Sequence, residues 1–104
     1  MTRQFDVVAN ADAEEAAHWP YLVVLQSDLI SGLRSTVVAP LVNRADFEGA
    51  RRLNPIVRIE GREFWLATHE LFAVEQHVLQ NKIATLSDER YTITPAIDFL
   101  FTGV

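Results

Sequence analysis

Apolar residues fall into short, β-branched runs over the first two thirds of the chain and take up clear helical spacing at its end. Phe5 to Ala9 is a brief β-prone run, and Tyr21-Leu22-Val23-Val24-Leu25, bounded by Pro20 and by Gln26-Ser27-Asp28, predicts a strand. Between them lies the alanine- and glutamate-rich stretch Asn10 to His18. Propensity permits a helical turn there, but a solvated loop between two strands is preferred. Ser31-Gly32 marks a turn. Ser35 to Ala39 predicts another strand, and Pro40, which has no N–H for a ladder bond, either limits its far end or places it at a sheet edge. Ile56 to Ile59 and Glu63 to Thr68 flank Glu60-Gly61-Arg62 and give the clearest hairpin signal, with Val57 and Ile59 facing inward and Arg58 outward. From His69 to Leu86 the spacing of Leu71, Val74 and Val78 suits a helix, whereas Phe72 to Val74 and Gln76 to Leu79 suit extended chain; periodicity leaves both open.

At the end, Ile97, Leu100, Phe101 and Val104 recur at i, i+3, i+4 and i+7, one stripe of an α-helix. Two starts fit. Thr94-Pro95 offers an N-cap with proline at the first helical position, and Ser87-Asp88-Glu89 offers a capping hydroxyl and two carboxylates near the positive end of the helix dipole. The longer version, Asp88 to Thr102 with a kink at the internal Pro95, is favoured because it brings Ile93 onto the stripe; Gly103 is the expected stop. Such a stripe either packs on its own sheet or a twin protomer, or projects its last residues as a recognition tip. Five strand candidates, short turns and a terminal helix predict a compact α+β fold with a mainly antiparallel, barrel-like sheet.

Length and composition narrow the function classes. The 104 residues fit one domain, 1–104, and a chain of this size buries roughly 60–70% of its unfolded surface. A hydrophobic share of 49% against 22% charged residues is that of a folding chain rather than a disordered one. The net charge of −5 argues against a broad phosphate-binding surface. With no cysteine, neither a disulfide framework nor a thiolate metal site is implied. Met1 to Asp6 runs into strand-like sequence without an apolar signal region, and no run approaches ~18 apolar residues, so a cytoplasmic, membrane-independent protein is expected.

Recognisable catalytic chemistry is sparse. His69-Glu70 with Glu75 and His77 is the one cluster resembling ligands, yet it lacks the spacing of a zinc motif and reads as structural; no metal or cofactor is implied. Ser27-Asp28 has no partnered base and reads as a turn or cap. Arg44, Arg51 and Arg52 form the best basic cluster, but interleaved acids make a solvated loop the simpler reading. Trp19 and Trp65 read as core or interface anchors.

Several blocks occur together: Gln4-Phe5-Asp6-Val7, then Val23 to Ile30 with its Gln26-Ser27-Asp28 step, Val37 to Leu41, Leu53 to Ile59, Leu86-Ser87-Asp88, and the ending Ala96 to Val104. Their order over nearly the whole length resembles the CcdB family of bacterial toxins from type II toxin–antitoxin modules. The resemblance implies an SH3-like antiparallel β-barrel or sheet with a C-terminal α-helix, shared with MazF-type toxins, and a homodimer with its helices near the twofold axis. It further implies a non-catalytic poison that acts through the helix ends on the A subunit of DNA gyrase, or on a related topoisomerase. A cognate antitoxin, whose disordered segment wraps the toxin, is implied as well. Contact with DNA would be indirect, through gyrase or the antitoxin complex. Carried onto this sequence, the target-binding residues are Phe101, Thr102, Gly103 and Val104, with Asp98 one turn back and Ser27, Leu29 and Ile30 on the adjoining loop. Two positions depart from the family ending: Thr102 stands where it has tryptophan, and Asp98 where it has asparagine. Threonine lacks the indole's stacking surface, worth roughly 0.5–2 kcal/mol against a cation, which lowers the expected gyrase affinity. The runner-up is a MazF-like mRNA endoribonuclease using Arg44, Arg51 and Arg52 with Asp46 or His69; a third reading is a non-toxic remnant that still binds antitoxin.

Overall fold

The computed structural model describes residues 2–30 and 32–104. Seven strands form one curled antiparallel sheet: β1 (Asp6–Ala9), β2 (Tyr21–Val24), β3 (Ser35–Asn43), β4 (Ile56–Ile59), β5 (Arg62–Leu66), β6 (Phe72–Glu75) and β7 (Lys82–Thr85). One helix, α1 (Arg90–Thr102), follows a 3₁₀ turn at Ser87–Glu89. The strand order is β4-β5-β3-β2-β1-β7, and β6 pairs with β3 off this path. This is the predicted α+β fold of an antiparallel, barrel-like sheet with a C-terminal helix, as a half-barrel with β6 and β7 added to the five strands expected.

Both faces of the central strands are buried, which explains their unbroken apolar runs. Val7, Val23, Ala39 and Leu41 point to a core completed by Val57, Phe64, Leu66 and Ile93 of α1. Their neighbours Val8, Leu22, Val24 and Val38 point the other way, under Leu79 and the half-buried Phe72 and Val74. The segment from His69 to Leu86, which the sequence left open, holds two strands and no α-helix: β6 pairs with β3, and β7 returns to pair with β1 at Asp6↔Thr85 and Val7↔Ala84, whereas Gln76–Val78, one of the stretches that suited extended chain, is a 3₁₀ turn, as is Thr68–Glu70. The stretch Asn10 to His18 is a loop containing a 3₁₀ turn at Glu15–Ala17. The turn expected at Ser31-Gly32 falls partly on Ser31, which lies outside the described residues; Gly32 itself has φ +80.

Pro40 departs from expectation, since it neither ends its strand nor marks an edge. It lies inside nine-residue β3, which pairs with β2 on one side and with β5 and β6 in turn on the other. Its carbonyl accepts from the N–H of Ala67 at 2.9 Å, so its backbone groups point away from β2. The absent N–H therefore falls in the gap between the β6 pairing, ending at Val38, and the β5 pairing, beginning at Leu41. The hairpin forms where the sequence places it, with a shorter turn and strand than expected: Arg62 belongs to β5 and pairs with Ile59, β5 ends at Leu66 rather than Thr68, and Glu60 and Gly61 both take positive φ (51° and 81°), a type I′ turn.

α1 is the longer of the two helices anticipated, with Pro95 inside it, so Thr94 does not cap it. The Thr85 hydroxyl accepts from the N–H of Ser87 at the start of the preceding 3₁₀ turn, but no side chain caps α1, so Ser87 does not serve as its cap. Its buried residues are Ile93 and Ala96, with Ile97 and Leu100 half-buried, so the stripe that packs ends before Phe101 and Val104. Gly103, at φ +76, closes α1 by donating to the carbonyl of Phe99.

Candidate functional site: the helix tip and its flanking loop

Each side chain of the Gln26-Ser27-Asp28 step builds the loop beside α1. Gln26 Oε1 accepts from the N–H of Val37 at 3.2 Å, fixing the loop to β3. Ser27 Oγ accepts from the N–H of Leu29 at 3.1 Å, the turn role expected of it. Asp28 accepts from the N–H of Gln4 at 2.8 Å and pairs with Arg3 at 3.5 Å, tying the loop to the start of the chain. The loop so held presents Leu29 at 95% and Ile30 at 53% exposure.

Facing it, the end of α1 holds Phe101 at 68% and Val104 at 77% exposure. Neither is taken up by the core. Between loop and helix lies an apolar groove of about 310 Å³ lined by Ser27, Ile30, Leu71, Ile97 and Phe101 among others. The structure thus brings Ser27, Ile30 and Phe101 to one groove, with Leu29 and Val104 exposed on the same two elements. Thr102 is engaged internally: its hydroxyl donates to the carbonyl of Asp98 at 2.6 Å and accepts from the N–H of Val104 at 3.4 Å. Asp98 is exposed, and among the described residues no basic side chain pairs with it.

Arg44 and Arg52 are engaged by different partners. Arg44 bonds Glu63 at 2.7 Å, and Arg52 lies 4.3 Å over the ring of Phe99 on α1. Glu63 is held below its ordinary value of 4.5 chiefly by the hydrogen bond from Arg44, with Arg58 adding to it, against a smaller opposing effect of desolvation. His69 stacks on Phe47 with ring centres 6.0 Å apart, and its Nδ1 faces the amide of buried Asn54 at 3.1 Å. His77 pairs with Glu75 at 3.1 Å. Among the described residues no three His, Asp or Glu side chains gather as a metal site, and no helix is long and apolar enough to cross a membrane.

Sequence reasoning missed a second groove, of about 360 Å³. Trp19, Val42 and Phe47 line it, and Glu15, His18, Asp46 and Glu70 stand around it. Its parts come from three separate stretches, 15–19, 42–47 and Glu70, so no local motif announces it. Trp65 is the core anchor expected, packed edge-on against Phe47 at 6.3 Å, with its buried Nε1 lacking a partner among the described residues. Comparison with known families adds one match: the sequence model described as CcdB protein covers residues 4–103. A search of curated proteins returned no match.

Proposed function

The chain belongs to the CcdB family and so stands among the toxins of toxin–antitoxin modules, and from that premise we propose that it inhibits DNA gyrase by docking, without bond chemistry of its own. The gyrase A chain is the target, the contact surface is the end of α1 with its flanking loop, and a homodimer presents two such ends near its twofold axis. Contact falls to Ser27, Leu29, Ile30, Asp98, Phe101, Thr102, Gly103 and Val104. One observation carries this reading: Phe101, which lines an apolar groove, and Val104 both stay largely in water. A terminal turn that only served the core would bury them.

The substitution at Thr102 tempers the affinity. Its hydroxyl bonds within the helix, so it offers a partner neither stacking area nor a free polar group. Binding weaker by about tenfold than a tryptophan-bearing tip would give is expected, corresponding to ~1–2 kcal/mol of lost aromatic contact. Neutralisation is assigned to a cognate antitoxin segment seated in the groove of Trp19, Val42 and Phe47, whose acidic surround suits a chain carrying apolar and basic residues. Contact with DNA then comes only through gyrase or the antitoxin complex.

Expression without antitoxin, coupled to a gyrase-mediated DNA cleavage assay on purified protein, tests the reading. Cleavage complexes should accumulate with the intact chain and disappear when Gly103 and Val104 are removed or Phe101 becomes serine. Equal potency of the truncated and intact chains would sink it. Sequence-selective RNA cleavage lost on changing Arg51 or Arg52 would replace it with the endoribonuclease reading.

A further inference from the structure

The outer face of α1 carries two groups that local physical chemistry disfavours. Tyr91, Thr94, Pro95, Asp98 and Thr102 recur at i, i+3, i+4, i+7 and i+11, and all are exposed. They cover about 16 Å along the helix, on the side away from Ile93 and Ala96. Tyr91 is 86% exposed. Among the described residues no ring or guanidinium packs on it, so a large aromatic surface stays in water. Asp98 lies in the half of the helix nearer its negative end, where a carboxylate is disfavoured, and no described basic side chain pairs with it. Basic neighbours on the adjoining surface are otherwise occupied: Arg52 lies over Phe99, and Arg90 turns back to the carbonyl of Ser87 and the ring of Phe5.

We infer that contact with the target is not confined to the tip: Tyr91 is a specificity-determining anchor that acts with Asp98 against a cationic surface of the same target. The inference rests on the docking function proposed above and extends its site two turns beyond Asp98. The partner's charge follows from the face itself, because an unpaired carboxylate and an open aromatic ring both attract a guanidinium or ammonium group. The chain's net charge of −5 adds to that attraction. Tyr91 offers an aromatic contact of its own, about 16 Å along the helix from Thr102.

Binding of the full-length protein to the purified gyrase A chain would be measured for the wild type, Tyr91→Ala, Asp98→Asn, Phe101→Ser as tip control and Thr92→Ala as a control on a neighbouring exposed position. Circular dichroism and light scattering would establish that each variant keeps its fold and oligomeric state. Tyr91→Ala should weaken binding by about 10- to 30-fold, as loss of a central aromatic does. Asp98→Asn should weaken it by about 3- to 10-fold at low salt and flatten its salt dependence, with Thr92→Ala unchanged. Wild-type binding that Phe101→Ser abolishes and Tyr91→Ala leaves intact would overturn this inference alone. No binding by the wild type would overturn the gyrase reading and this inference with it. Dissociation of the dimer in Tyr91→Ala would give the ring to the second copy and equally overturn it.

Discussion

Gly49 has no room for a side chain. A Cβ built there would lie 2.5 Å from the ring of Trp65, which is itself 6% exposed and cannot withdraw into solvent. Gly49→Ala is therefore expected to destabilise the fold by about 1–3 kcal/mol, seen as a lower denaturant midpoint with an unchanged slope. A residue-scale charge effect appears at Glu63, whose pKa is lowered mainly by Arg44. A group with a depressed folded-state pKa contributes stability above its unfolded value, and that contribution fades as pH falls through the folded value. The wild type should thus be more stable than Glu63→Gln at neutral pH, with the gap closing below the ordinary 4.5 in pH-dependent thermal melts. A gap that persists in acid would show that the Glu63 side chain stabilises by packing and uncharged hydrogen bonds rather than by its charge.

At the scale of elements, the hairpin of β4 and β5 depends on two consecutive left-handed residues. Gly61→Ala places a Cβ at φ +81 and should cost about 1–2 kcal/mol, measurable by chemical denaturation. The presence of this hairpin was legible in the sequence from the alternating apolar residues on either side of Glu60-Gly61-Arg62, but its two-residue turn and its register, with Arg62 paired to Ile59, were not. α1 was legible in extent but less so in how it packs. Spacing alone placed Phe101 and Val104 with Ile97 and Leu100, whereas the sheet reaches only Ile93, Ala96, Ile97 and, partly, Leu100. Where a neighbouring surface runs out is a tertiary fact that no periodicity encodes. β6 and β7 were not separable from helix because their partners lie far off: Val38 pairs with Phe72, and Asp6 with Thr85. The loop of the candidate site could be read from Gln26-Ser27-Asp28, while the Trp19 groove could not, being assembled from distant segments.

The whole molecule is closed by contacts between its beginning and its end. Phe5 donates to Val24 and accepts from Leu86, and buried Asp6 meets Lys82 at 3.3 Å, so the first strand, the last strand and the approach to α1 are one assembly. Ile93, fully buried, anchors the helix to it. Ile93→Ala should cost about 2–5 kcal/mol, a large part of the 5–15 kcal/mol typical of a domain. Helix and sheet signals are expected to be lost in one transition; separate melting of α1 would show that the helix is an appendage.

Pro40 has a consequence for folding fidelity as well as for the native ladder. Slipping β3 by one residue against β2 would turn its bare nitrogen toward β2, leaving a carbonyl there unanswered, and would exchange the buried sets on the two faces. A misregistered hairpin is penalised twice, so the proline acts as a proofreader of strand alignment while the chain assembles.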